Sequence, residues 1–358
     1  ETRKYGVKVE AQYLVGEYDI LLLSANESAG LKDWLNLNGY KIPAKAEEVL
    51  DPYIKSNLKF FVVKVNAAAK RKIVGEFLRP IQISFTSPKF MLPIRLGMAN
   101  ADGDQDLIVY AFTRSGRIEC TNYRNANMPT DTKVPLFVKD DFQKFYDQTF
   151  LQTWKKEKYS VSMLEYAWDV TPANYYHCDP CIATAPSEQD LVQSGVWWLR
   201  HNWNDYRNVE TEGDDLTGSQ NVHFTRLHFR YNRNSFAQDL QFQVTPNVET
   251  YQARYVITHP ATGNFSCVAG RRYLEDLKKR RKEELYNLYS LTGKSLDEYE
   301  QLGNAATEEV NYAEAYYSTL IPSVQQSTKN EGEGRMPLVI LGLVAVSVGG
   351  VMKWKGMI

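Results

Sequence analysis

The chain has 358 residues, with 42 Lys plus Arg against 43 Asp plus Glu, a formal net charge of −1, and 43% hydrophobic and 24% charged residues. This is the make-up of a folded protein able to bury a large core, and it excludes intrinsic disorder, a collagen-like fibre and a multi-span transporter. The near-zero charge excludes a general nucleic-acid binder, which needs a basic excess to neutralise phosphates, and four cysteines are too few for a disulfide-dense scaffold.

Val7, Val9, Ala11 and Tyr13 alternate with Lys8, Glu10 and Gln12, the period of two that a half-buried strand requires. Asp19–Ser24 reads as a second, more buried strand. Leu31, Trp34 and Leu35 then fall at helical spacing up to Gly39, and Ala46–Ile54 predicts another short helix. Lys59–Val65, Ile81–Phe85 and Leu107–Phe112 return to strand, with Ser115-Gly116 turning the last one back into Arg117–Tyr123. Ser160–Trp168 opens a second strand-rich stretch. His223, Thr225, Leu227, Phe229 and Tyr231 alternate with Val222, Phe224, Arg226, His228 and Arg230, and Leu240–Val244 and Tyr251–Ile257 follow, which predicts an antiparallel meander. Leu274, Leu277, Leu285 and Leu288 share one face of a helix over Arg271–Leu291, with Gly293 as its stop. Ser295 and Glu298 form a capping box for one more helix. The fold class expected is α+β: a mostly antiparallel or mixed sheet with peripheral helices over residues 1–300, as one unit or as two subdomains, 1–150 and 151–300.

Five groups of residues are candidates to carry chemistry. Asp102-Gly-Asp104-Gln-Asp106 resembles the start of a calcium loop. Its sixth and twelfth positions, however, are Leu107 and Thr113 where that loop needs Gly and Glu, so a charged turn is expected. His177-Cys178-Asp-Pro-Cys181 has its histidine on the wrong side for haem attachment, and the next helix signal starts only at Ser187. Cys120, Cys178, Cys181 and Cys267 are therefore disulfide candidates in one of three pairings, with a thiol–disulfide redox pair at Cys178 and Cys181 as the alternative. Trp197, Trp198 and Trp203 concentrate three indoles that either fill core or form an interface for a sugar or a protein. Lys278–Lys282 is a basic run whose Lys279 and Arg280 pair at i,i+4 with Glu275 and Asp276; it is read as a solvated helix face, with a contact to an acidic partner or lipid head groups as the alternative, and Arg226, His228 and Arg230 are read as solvent- or partner-facing. No GxSxG, HExxH, P-loop or GxGxxG motif occurs, and the five histidines lack metal-ligand spacing. Neither a catalytic residue nor a cofactor or metal site is predicted.

Beyond Gly303 the chain turns polar, and residues 301–335 read as a juxtamembrane tether. Met336–Met352 is free of charge and is followed by Lys353-Trp354-Lys355. Such a run reaches roughly 25 Å as a helix, at the short end of the spanning range, and the lysines favour the cytoplasmic side for the tail 353–358. Gly342, Ala345 and Gly349 share one face of this span, where small residues let a neighbouring helix approach. The first ~335 residues are then expected outside the cytoplasm, in a periplasm or lumen. That orientation needs a signal peptide, so a chain beginning at Glu1 is expected to be a processed form.

Tyr5-Gly-Val-Lys-Val-Glu-Ala-Gln-Tyr13, Val15-Gly-Glu-Tyr-Asp-Ile20, Pro88–Gly97, Leu164-Glu-Tyr-Ala-Trp-Asp169 and Cys178-Asp-Pro-Cys181 resemble a bacterial family defined as domain of unknown function 2330. The resemblance spreads over roughly residues 4–300 and implies an exported protein, often with a C-terminal membrane anchor. It carries no activity or catalytic residue across. The function expected is a non-catalytic accessory or assembly subunit of an integral membrane complex, respiratory or photosynthetic, in contact with the lipid bilayer. A thiol–disulfide oxidoreductase and an envelope ligand- or glycan-binding protein are the alternatives.

Overall fold

The computed structural model describes residues 2–40, 42, 46–66, 80–98, 103–172, 186–199, 221–261, 263 and 265–294. Strands β1 (Val7–Val15), β2 (Tyr18–Ala25) and β3 (Phe60–Val65) form an antiparallel sheet in that order. The tight β1–β2 turn falls on Gly16, whose φ of 58° suits a residue without a Cβ. Helices α1 (Ser28–Leu37) and α2 (Ala46–Lys55) bury Leu31, Trp34, Leu35, Leu50 and Tyr53 against Val7, Leu23 and Phe60. The first turn of α1 lies so close to the preceding chain that a Cβ on Gly30 would stand 2.1 Å from the Tyr5 carbonyl oxygen.

After β4 (Met91–Leu92) and the single-turn α3 (Arg95–Met98) comes the central sheet. It contains β5 (Gln105–Thr113), β7 (Arg124–Asn127), β9 (Val161–Asp169), β10 (His223–Tyr231) and β12 (Tyr251–Gln252). β10 lies in the middle, antiparallel to β5 along its whole length from His223↔Thr113 to Tyr231↔Gln105, and to β9 on the other side. β12 and the parallel β7 share the far edge of β9. Strands from either side of residue 150 therefore pair within one sheet.

The alternation in β10 sorts its residues onto two faces. Thr225, Leu227, Phe229 and Tyr231 point inward to a core of Ile94, Ala111, Ile118, Leu164, Phe236, Leu240 and Phe242. That core is closed by a small sheet of β4, β11 (Leu240–Val244) and β6 (Ile118–Cys120). On the outer face lies α4 (Phe142–Lys156), whose Phe150 and Trp154 pack on Val161 and Met163. The long α6 (Val268–Thr292), which follows the short α5 (Glu188–Gln193), sets Leu288 and Leu291 against Phe145 and Val134. Val134 belongs to β8 (Thr132–Val134), which runs parallel to β13 (Tyr255–Ile257). Inside this contact Glu284, fully buried, accepts hydrogen bonds from Arg281 and from Thr258 Oγ1 at 2.8 Å.

The N-terminal sheet joins this body through Asp239. Its Oδ1 accepts from the Tyr53 hydroxyl at 2.6 Å and from the backbone N–H groups of Ile94 and Arg95 at 3.0 and 3.2 Å.

The α+β class with antiparallel and mixed sheets is as the sequence predicts, but two elements differ. Ile81–Phe85 is an irregular, mostly exposed segment, and among the described residues its alternation meets no partner strand. The predicted meander also does not form: β10 pairs with β9 and β5, β11 with β4 and β6, and β13 with β8. Sequence neighbours are thus split among three sheets, each claimed by a distant strand. Among the described residues no helix is long and apolar enough to cross a membrane, and the expected span at 336–352 lies outside them, as does the 301–335 tether.

Candidate functional site

The outer face of the central sheet gathers the polar chemistry of the molecule. In register, Arg226 faces Tyr166 on β9, and the next pair is Leu227 with Leu164. Glu165 is the extra residue of this bulge, and a bulge re-aims a side chain. Glu165 thereby sits beneath α4 with its side chain only 3% exposed. Its Oε1 accepts from the Tyr146 hydroxyl of α4 at 2.7 Å and lies 2.8 Å from His228 Nδ1. Arg226 Nε stands 2.7 Å from Glu165 Oε2 but is misaligned: neither atom gains a hydrogen bond there, and the contact is an ion pair alone.

The second imidazole nitrogen of His228, Nε2, is 3.2 Å from Asp106 Oδ1 on β5. Arg230 grips Asp106 with two hydrogen bonds, Nε to Oδ1 at 2.8 Å and Nη2 to Oδ2 at 2.6 Å. The Phe150 ring stacks on the imidazole at 3.8 Å, and Arg230 lies over Phe150 and Trp154 at 5.6 and 5.8 Å. Beside Arg230 a shallow, open depression of about 430 Å³ is lined by Asp141, Lys144, Asp147 and Leu151.

The electrostatics follow from this packing. Burial alone would lower the His228 pKa, but the hydrogen bonds and charges of Asp106 and Glu165 outweigh it and raise the pKa above its ordinary value. Burial would raise the Glu165 pKa, yet His228, Arg226 and the Tyr146 hydroxyl hold it below the usual range. Asp106 is likewise held low, against its burial, by His228 and Arg230. Burial and the neighbouring Glu165 carboxylate push the Tyr146 hydroxyl up.

With a carboxylate oxygen at each ring nitrogen, His228 has both nitrogens committed as donors, the arrangement of a protonated ring. It offers no lone pair to abstract a proton or bind a metal, and its role is that of a staple joining β5, β9, β10 and α4. Of Arg226, His228 and Arg230, expected to face solvent or a partner, His228 departs from the expectation, while Arg226 and Arg230 keep 36% and 24% of their side chains open. α4 covers this end of the face, and His228 keeps only 13% of its side-chain surface.

Toward the other end the outer face becomes aromatic. Phe224 lies 5.8, 5.1 and 5.7 Å from the rings of Tyr110, Phe112 and Tyr166, and Tyr166 stacks on Trp168 at 5.8 Å. Arg226 spreads over Tyr110 at 5.6 Å and keeps 36% of its side chain open. α5 starts from a capping box between Ser187 and Asp190 and leads to a short 3₁₀ turn carrying Trp197 and Trp198. The Arg114 guanidinium lies 4.8 Å from the Trp197 ring and 5.4 Å from that of Trp198. Trp198 is anchored, its Nε1–H donating to the Asn221 carbonyl at 3.1 Å, whereas Trp197 is 36% exposed. The structure thus joins two of the three predicted indoles around an arginine; Trp203 lies outside the described residues.

The cysteine expectation changes at two positions. Cys120 and Cys267 are free thiols, one buried on β6 and one exposed. Burial raises the Cys120 pKa, which keeps that thiol unreactive, and Cys267 Sγ caps α6 by accepting from Gly270 N–H at 3.3 Å. Cys178, Cys181, Gly342, Ala345 and Gly349 lie outside the described residues. Asp106, the last acid of the calcium-like run, serves arginine and histidine, and no group of three or more metal-ligating side chains is found among the described residues.

A family model described as an uncharacterized protein conserved in bacteria, DUF2330, matches residues 2–243. The matched span holds every member of the staple and the aromatic face and stops short of α6. No curated protein and no solved structure matches the chain.

Proposed function

This chain belongs to the bacterial DUF2330 family, and from that premise we propose that it is a membrane-anchored accessory subunit of a larger membrane complex, not an enzyme. The observation that carries this reading is the charge-free run Met336–Met352 with Lys353-Trp354-Lys355 behind it. It is long enough to span a bilayer as a helix and is flanked as an interface requires, with the head on the extracytoplasmic side. Gly342, Ala345 and Gly349 then supply the stripe on which a partner helix packs. The closed charge staple supports a non-catalytic head. Its single histidine, its two carboxylates and Arg230 are spent on one another. A complex of the energy-transducing kind, respiratory or photosynthetic, fits a single span under a large head. In membrane fractionation the full chain should resist extraction by alkaline carbonate, and a chain ending at Arg335 should be released. Release of both would overturn the anchor.

A second reading, an envelope ligand-binding protein, draws support from exposed Trp197 beside Arg114. It predicts that cell-wall glycan fragments quench indole fluorescence in the parent protein and not in Trp197→Ala. A thiol–disulfide role rests on Cys178 and Cys181 alone, and loss of any redox activity in Cys178→Ser is its test.

A further inference from the structure

Helix α6 buries one face and leaves the opposite one open. Leu277, Glu284, Leu288 and Leu291 are inside. Opposite them Val268, Arg272, Glu275, Lys279, Lys282, Tyr286 and Tyr289 recur at alternating steps of four and three, all exposed, so they form one continuous stripe. Flanked by Arg271 and Lys278, this outward face shows five cations (Arg271, Arg272, Lys278, Lys279 and Lys282) against three carboxylates (Glu275, Asp276 and Glu283). Lys279 lies 3.7 Å from Asp276 and keeps 78% of its side chain open. Val268 and Tyr286, 75% and 63% exposed, add apolar surface at both ends.

The helix stops at Gly293, whose φ of 69° is the left-handed geometry that ends a helix and turns the chain. The residues beyond this turn complement the stripe in charge. Between Lys294 and Lys329 there is no cation, and six carboxylates occur: Asp297, Glu298, Glu300, Glu308, Glu309 and Glu314. Apolar residues in the same stretch, Leu296, Tyr299, Ala306, Val310, Ala313, Tyr317 and Leu320, recur at the spacing that suits a helical stripe.

We propose that the acidic stretch 296–320 of this chain is the occupant of the cationic, tyrosine-bearing face of α6. Its carboxylates meet Arg272, Lys279 and Lys282, and its apolar residues cover Val268, Tyr286 and Tyr289. Covalent continuity through Gly293-Lys294 makes the encounter intramolecular, which favours it over a free acidic partner. The proposal does not depend on whether residues 336–352 span a membrane.

The test compares the full-length protein with a variant carrying Asp297→Asn, Glu298→Gln, Glu300→Gln, Glu308→Gln, Glu309→Gln and Glu314→Gln. Lysine acetylation is followed residue by residue by mass spectrometry. Lys55, on α2 and 78% exposed, is the internal standard. At low salt Lys279 and Lys282 should be labelled about fivefold more slowly in the parent than in the variant, the scale expected of a few exposed ion pairs acting together. Carbodiimide should also link these lysines to Glu308, Glu309 or Glu314 within one chain, independently of protein concentration. Equal labelling in the two proteins overturns the proposal, as does the absence of those crosslinks. Protection that arises only when phosphatidylglycerol vesicles are added would assign the face to lipid head groups instead and would equally overturn it.

Discussion

Both ring nitrogens of His228 are held by carboxylates from neighbouring strands, and a phenyl ring lies on its face. The raised pKa of His228 means that its contribution to stability is complete below the ordinary histidine value, near pH 6.5, and is lost as pH rises through the raised value. The lowered pKa values of Glu165 and Asp106 act in the opposite sense. Their contribution is complete above the ordinary carboxylate range and is lost as pH falls through the lowered values. The staple is therefore strongest between about pH 5 and 6.5. Thermal denaturation across pH should show the parent losing stability on the alkaline side relative to His228→Gln, and parallel profiles would contradict the ion-paired geometry. Glu165→Gln leaves the imidazolium and Arg226 without their buried counter-charge and should cost about 3 kcal/mol in urea denaturation. The period of two already placed Arg226, His228 and Arg230 on one face of a strand. What that period does not carry is the cover by α4, which lies elsewhere in the chain, and the bulge at Glu165, which leaves no mark in the residue pattern.

The covering helix α4 was nonetheless readable. Phe145, Thr149, Phe150, Thr153 and Trp154, all buried, fall at the spacing of one helical face. Phe150→Ala removes the ring that seals the imidazole and should cost about 3–4 kcal/mol in the same assay, by cavity formation and loss of stacking. Gly30→Ala drives a methyl group to within 2.1 Å of the Tyr5 carbonyl oxygen, so backbone must shift. It should destabilise by about 2 kcal/mol or more, whereas Gly103→Ala, with nothing within 4 Å of the added carbon, lacks that clash and should cost less. Local pattern served well where an element makes its own case. α1, α2, β10 and α6 stand close to their predicted bounds, α6 running from Val268 to Thr292 with its stop at Gly293. It failed where pairing decides. Ile81–Phe85 alternates like a strand and finds no partner among the described residues, whereas the short β7 and β8 carry little pattern and exist because β9 and β13 lie beside them.

At the scale of the whole molecule, the neutral balance of 42 cations and 43 carboxylates conceals a division. The central sheet consumes its charges internally, α6 shows a cationic face, the next stretch is acidic, and the last apolar run has no charge at all. The family match at residues 2–243 covers the N-terminal sheet and most of the central one, and leaves β12, β13, α6 and the C-terminal stretches to be read from their own chemistry. The fold class was legible because it needs only the kinds of element present. The sheet topology was not, since β5 and β10 find each other across more than a hundred residues and no local signal records that choice. The central claim, an anchored subunit of a larger complex, is tested most directly by mild-detergent purification of the tagged full chain from its native membrane, followed by native electrophoresis and mass spectrometry of the band. The account predicts a band well above the chain's own 41.1 kDa that contains at least one integral membrane protein in fixed ratio. Migration of the chain alone, at the mass of its monomer, would contradict it.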